Sequence, residues 1–257
     1  MPKKNRKKII SQKNTNVYKP YIRRNDALKE LKNHQTGKRI KAGNNSGFVI
    51  DNKHYYGGIT QRLNVILGNI PIFTKTRDEK NDGNGSGLSR GIHVHQTIQN
   101  FICNNSIQTS LGLDPMGIAI INHCKYMLKL SILSSEVPVF CEKIHRASSV
   151  DLVAYDTQSK EYILLEIKTG YGSEDNYSHS YGCMKRPFSK LKKTHQNAHQ
   201  IQLLITYVLF TKTFPNLSVN LNRCRVVRVH GENNGVSSYV ISSEIKNLKC
   251  KLTSKMN

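Results

Sequence analysis

The stretch VDLVAYDTQSKEYILLEIKTG, residues 150–170, puts ionisable groups where a buried strand should carry none. Tyr162–Ile167 is apolar but for Glu166, and Lys168 lies just beyond it. Side chains alternate along a strand, so Glu166 and Lys168 project from one face. With Thr157–Lys160 as a four-residue hairpin loop, Asp156 faces Glu161, and counting outward sets Asp151 opposite Glu166. Opposed residues have Cβ atoms roughly 4.5–5.5 Å apart, where two carboxylates repel. Such a pair needs a cation, a shared proton, or both. Lys168 neutralises part of the charge, and the oxygens suit a hard divalent ion, Mg2+ or Mn2+, with the Ile167 carbonyl pointing to the same edge. An ion there polarises a phosphodiester and acidifies a bound water, while Lys168 orients that water or stabilises negative charge. The bland reading is a salt-bridged sheet edge in which Asp151, Glu166 and Lys168 satisfy one another.

The elements around this segment follow from periodicity. His54–Ile72 is the first stretch with enough apolar content to pack, and Lys75–Ser89 reads as a loop. A helix begins near Ser89, with Ile92, Ile98, Phe101 and Ile102 recurring at helical spacing. A second helix starts at an Asp114 N-cap with Pro115 in its first position, and its apolar residues run to about Leu133. Val137–His145, Val150–Asp156 and Glu161–Thr169 read as consecutive strands. A polar stretch, Gly170–Lys193, leads to a helix over His195–Lys212 and then to strands at Arg223–Val229 and Val236–Ile241. The order is that of a mixed α/β domain.

On the late helix His195, His199, Gln202 and Thr206 line one face, which is directed either at solvent or at a wet site. Glu142 is the lone acid of VPVFCEKIH; it either approaches the metal from the neighbouring strand, the reading preferred here, or pairs with Lys143 or Arg146 at the surface. His95, taken alone, fits a hydrogen-bonded core histidine as well as a ligand.

Charge narrows the partner. The chain has 257 residues and a formal net charge of +22. Residues 1–41 hold 14 Lys/Arg against Asp26 and Glu30, or +12, leaving +10 for the rest. Residues 1–50 therefore read as a flexible basic arm, and residues 51–257 as the folded domain. A second basic run, Arg186, Lys190, Lys192 and Lys193, follows the candidate strand and suits a nucleic-acid backbone. Tyr171, Tyr177, Tyr181 and Phe188 lie beside it, either stacking on unpaired bases or packing within the loop. Six scattered cysteines with no C-x-x-C pair argue against zinc fingers and a disulfide scaffold. No apolar stretch reaches the length of a membrane span, and MPKKNRKK lacks a secretory core. The Lys-rich start suits a nucleus or a viral replication site better than a mitochondrion.

EVPVFCEKIHRASSVDLVAYDTQSKEYILLEIKTGY resembles the catalytic core of the PD-(D/E)XK nuclease superfamily, in its RecB-like branch, which includes the mitochondrial genome maintenance exonuclease and nucleases of large DNA viruses. Asp151 matches the family's acid, and Glu166 and Lys168 its E-x-K element. Arg90-Gly91-Ile92-His93-Val94-His95-Gln96-Thr97-Ile98 resembles the R-G-x-x-x-H-x-x-I/L element of an early helix, which implies His95, and not His93, as the metal-associated histidine. His199-Gln200-Ile201-Gln202-Leu203 is similar to the later H-x-x-Q-L-x-x-Y helix. Departures are Ser148 and Ser149 where the family has a glycine, and Tyr207 five residues after Gln202 instead of four. The four-cysteine cluster of some members is missing, so no iron–sulfur cluster is implied.

The resemblance spans residues 55–212 and implies a restriction-endonuclease-like mixed β-sheet core flanked by helices. It implies a Mg2+-dependent deoxyribonuclease of replication, repair or recombination, an exonuclease before an endonuclease. His95, Asp151, Glu166 and the Ile167 carbonyl would hold the metal, with Glu142 as a further acid; Lys168 and Gln202 would complete the catalytic set. A structure-specific endonuclease on the same site and a non-catalytic nucleic-acid-binding protein are the alternatives.

Overall fold

The computed structural model describes residues 24–33, 38–42, 45–50, 52–56, 87–104, 114–169, 177–186, 188–230 and 235–256. Its centre is a five-stranded sheet in the order β4-β5-β6-β7-β8, from Leu130–Cys141, Arg146–Asp156, Glu161–Thr169, Arg225–His230 and Gly235–Val240. Three strands earlier in the chain, β1 (Lys38–Ala42), β2 (Asn45–Ile50) and β3 (Lys53–Tyr56), form a separate antiparallel sheet. In the large sheet all neighbours are antiparallel except β6 and β7, which run parallel and make the sheet mixed. Thr157–Lys160 is the hairpin loop the sequence predicts, and Asp156 pairs with Glu161.

Alternation along β5 and β6 feeds two apolar layers. Leu152, Ala154, Ile163, Leu165 and Ile167 pack against α2 (Gly87–Asn104) and α3 (Pro115–Asn122), through Val94, Ile98, Ile120 and Ile121. Val153, Tyr155, Tyr162 and Leu164 face the other way, against α4 (His195–Thr213), through Ala198, Ile201, Leu204, Ile205 and Val208. Two short helices, α5 (Ser243–Lys246) and α6 (Lys249–Met256), add Ile245 and Leu252 to the α4 layer. The architecture is therefore a mixed α/β sheet flanked by helices. No helix among the described residues is long and apolar enough to cross a membrane.

Helix starts follow the sequence signals. Asp114 caps α3 by accepting from the Met116 N–H at 2.8 Å, and Thr194 caps α4 by accepting from the Asn197 N–H at 3.0 Å. The expected extension of α3 to Leu133 is corrected. The helix ends at Asn122, a π-helical turn covers His123–Met127, and Lys129, at φ 54°, turns the chain into β4. The apolar run Leu130–Leu133 belongs to a strand, a choice that a short apolar run leaves open.

The expected arm over residues 1–50 is also corrected in its second half. α1 (Arg24–Asn33) buries Ala27 and Leu31 fully in the α4 layer, and Phe48 and Ile50 of β2 pack with Tyr55 and Ala147. Charge had concealed the apolar spacing of Ala27, Leu28 and Leu31. Residues 1–23 and most of His54–Ile72 and Lys75–Ser89 lie outside the described residues.

Candidate metal centre and catalytic cluster

The β5–β6 ladder runs from Asp156–Glu161 to Leu152–Leu165, and its next step would be Asp151–Glu166. Pairing stops there. The Asp151 carboxylate takes over one ladder position, its Oδ2 accepting from the Ile167 N–H at 2.7 Å. On the other side of β5, Ser135 pairs with Leu152 and Val137 with Val150, which brackets Glu136 and Asp151. Glu136, Asp151 and Glu166 thus stand in one row across β4, β5 and β6.

α2 brings the histidine to this row. Its apolar side, Val94 and Ile98, is buried on the sheet, and Thr97 Oγ1 accepts from the Asp114 N–H at 3.0 Å, fixing α2 against the start of α3. Gly91 lies close to the end of β6, where an added Cβ would sit 3.6 Å from Thr169 Oγ1. So held, His95 donates from Nδ1 to Glu136 Oε1 at 2.5 Å. His95, Glu136 and Asp151 each present a ligand atom, all within 4.8 Å of one another.

α4 approaches from the opposite layer. Glu166 is 1% exposed, and its Oε1 accepts from Lys168 Nζ at 2.6 Å and from Gln202 Nε2 at 2.5 Å. Lys168 Nζ also donates to Gln202 Oε1 at 3.3 Å. The expected pairing of Glu166 with Lys168 on one face is present, and Gln202 joins it.

The polar stripe of α4 faces inward, not toward solvent: His195, His199 and Thr206 are buried. Tyr177 Oη lies 2.7 Å from His199 Nδ1 and also contacts the hydroxyl of Tyr239, while the Arg228 guanidinium sits 4.1 Å over the Tyr177 ring centre. Tyr207 points elsewhere, its hydroxyl accepting from Lys249 Nζ of α6 at 3.2 Å.

The charges are strongly coupled. Burial raises the Asp151 pKa above the usual carboxylate range, although His95 and Lys168 pull against it. Burial and then the charge of Asp151 push Glu166 up to about 8, against the pull of Lys168. Burial of His95 opposes its charged form, but the hydrogen bond to Glu136 and the negative charge of Asp151 and Glu136 outweigh it and raise the pKa to about 9. His199 moves the other way, well below 6.5, through burial and the nearby charge of Lys168. Asp151 and Glu166, buried side by side, are not ionised together without cost. Two carboxylates and an imidazole converging at this spacing are a donor set that fits a small divalent ion.

One sequence expectation needs revision. Glu142 is not part of the cluster: it lies in the turn after β4, 62% exposed, paired with Lys53 Nζ at 2.7 Å. Its place is taken by Glu136, which the sequence reading passed over. Residues 142–145 form a second four-residue connection that sets Cys141 opposite Arg146. Counting outward from there reaches Glu136 and Asp151. Ile167 meets the cluster through its N–H, donated to Asp151. The Arg90 side chain and Tyr171 lie outside the described residues.

No family model and no curated protein matches the chain. Fourteen chains of solved structures do. One of these, the crystal structure of SSO0001, is 13% identical, covers 66% of this chain and 75% of its own length, and has a TM-score of 0.28. A likeness at that score carries no argument about fold or function.

The basic run lies on a small irregular hairpin. Tyr181 N–H donates to the Lys193 carbonyl at 2.8 Å, Lys193 N–H to the Gly182 carbonyl at 2.7 Å, and Met184 N–H to the Leu191 carbonyl at 3.1 Å. Gly182, at φ 95°, adopts a conformation that only glycine takes readily. Met184, Phe188 and Leu191 are buried in the α4 layer, whereas Lys185, Arg186, Lys190 and Lys192 are exposed and Lys193 is half-buried.

Proposed function

We propose that this chain is a Mg2+- or Mn2+-dependent DNA nuclease of the PD-(D/E)XK superfamily, RecB-like branch, on a restriction-endonuclease-like core, and that it acts as an exonuclease in replication, repair or recombination. The observation that carries the reading is the convergence of His95, Glu136 and Asp151 beside the Glu166–Lys168–Gln202 cluster. A salt-bridged sheet edge would account for Lys168 and Glu166. It would not account for two further acids and a histidine gathered at the same break in the ladder.

In this reading His95, Glu136 and Asp151 hold the metal, and Glu166 closes the row. An ion held there would supply Lewis-acid polarisation of the scissile phosphate and a water of lowered pKa. Lys168 places its ammonium at the attacking side, where it orients the water or stabilises negative charge. Gln202 fixes both Glu166 and Lys168, so that neither drifts when substrate enters. The hairpin cations Arg186, Lys190, Lys192 and Lys193 lie where a phosphate backbone approaches the end of α4. The Lys-rich N-terminal residues favour a nucleus or a viral replication site.

The test is degradation of end-labelled single- and double-stranded DNA with Mg2+, Mn2+ or EDTA, for wild type and Lys168→Ala. Metal-dependent cleavage that falls by about 100-fold or more in the variant is expected. Tight binding with no cleavage by either protein would instead make the chain a non-catalytic binder. Linear against closed circular substrate separates exonuclease from endonuclease.

A further inference from the structure

Four aromatic side chains near the basic run were open to two readings, and the structure places the three it describes. Tyr177 and Phe188 are 0% and 1% exposed and serve the interior. Tyr181 is 41% exposed. Its two ring neighbours among the described residues, His179 at 5.0 Å and His195 at 5.9 Å between centroids, stand at 77° and 83° to it. Neither stacks in parallel on its ring.

Its position is built, not incidental. The Tyr181 backbone is tied to Lys193, and the hairpin is anchored by Met184, Phe188 and Leu191 in the core. Residues 181–193 carry five Lys or Arg and no acid. Tyr181 touches His195, the first residue of α4, and Gln202 follows seven residues along the same helix, roughly 10 Å at 1.5 Å per residue. Gln202 in turn touches Glu166 and Lys168.

An exposed, rigidly mounted aromatic ring among cations, about two helical turns from the cluster, is what a nucleotide needs when its base is unpaired. Inside a duplex both faces of each base are covered, which leaves such a ring nothing to stack on except a terminal pair. Resting on the nuclease reading, we propose that Tyr181 is a stacking platform for an unpaired base about two helical turns from the cluster. The hairpin lysines hold the adjoining phosphates and act equally on either form of DNA.

The test needs no catalysis. The full-length protein in EDTA is titrated with a fluorescein-labelled single-stranded oligonucleotide and with the blunt duplex of the same sequence, for wild type, Tyr181→Ala and Tyr181→Phe. Tyr181→Ala is expected to weaken single-strand binding by about 5- to 100-fold, with duplex binding changed by less than about twofold and Tyr181→Phe near wild type. An abasic single strand should remove the difference between wild type and Tyr181→Ala. Lys190→Ala combined with Lys192→Ala should weaken both substrates together and flatten the salt dependence. Duplex affinity reports folding of the two Tyr181 variants. If Tyr181→Ala binds single strands as wild type does, or loses both substrates equally, the stacking proposal fails while the nuclease reading stands. If wild type binds neither DNA, both fail.

Discussion

Glu136 adopts φ 51°, a left-handed conformation that costs a non-glycine residue of order 1–3 kcal/mol. Its neighbours Val137 and Val139 pack in the α4 layer, whereas Leu152, the partner of Ser135, packs in the α2 layer, so the alternation of β4 changes phase at Glu136. The kink re-aims it, at the point where pairing between β4 and β5 is interrupted. If Glu136 is a metal ligand, Glu136→Gln should lower metal-dependent cleavage by about 100-fold or more, since the isostere keeps the packing but loses the charge. Glu142→Gln, at the exposed Lys53 pair, should leave the rate within about twofold. Loss in Glu142→Gln would return Glu142 to the site, and an unchanged rate in Glu136→Gln would remove Glu136 from it. Asp151, Glu166 and Lys168 were legible because they sit in two strands whose four-residue hairpin loop sets the register. Glu136 was not, because VPVFCEKIH reads as unbroken strand when the turn at 142–145 is hidden among β-branched and aromatic residues.

The elements matter through the distances they impose. α2 carries His95, and its height above the sheet is set by the contact with α3. Gly117 allows that contact: an added Cβ would lie 2.7 Å from Thr97 Cγ2 and 3.2 Å from the Val94 carbonyl oxygen. Gly117→Ala must push the two helices apart, and a cost of about 1–3 kcal/mol is expected in denaturant unfolding. Because Thr97 and Val94 flank His95, cleavage should fall further than the lost stability explains, measured well below the melting transition. An alanine variant with unchanged stability and rate would show that the α2–α3 contact does not position the histidine. At this scale the sequence reading was strongest where one residue decides a boundary, as Asp114 and Thr194 do for their helices. It was weakest where two periodicities overlap, as at Leu130–Leu133, and where charge outweighs a short apolar stripe, as in α1.

Over the whole molecule, two groups of cations stand out within the net charge of +22. One belongs to the N-terminal residues. The other is mounted on the folded hairpin at Arg186–Lys193, whose apolar anchors the composition of that segment had obscured. The topology has a consequence in time. β4, β5 and β6 are joined by connections of only four residues, 142–145 and 157–160, whereas β7 reaches β6 across residues 170–224. Closing a long crossover costs more chain entropy than closing two short turns, so the meander should form first during refolding. Pulse-labelled hydrogen exchange should show β5 and β6 amides protected before those of β7; simultaneous protection would refute that order. On this route the three carboxylates are gathered by local chemistry while α4, which brings Gln202 to Glu166, has yet to dock. The mutual repulsion of the row then becomes a kinetic burden on an early intermediate, one that acidic refolding buffers would relieve.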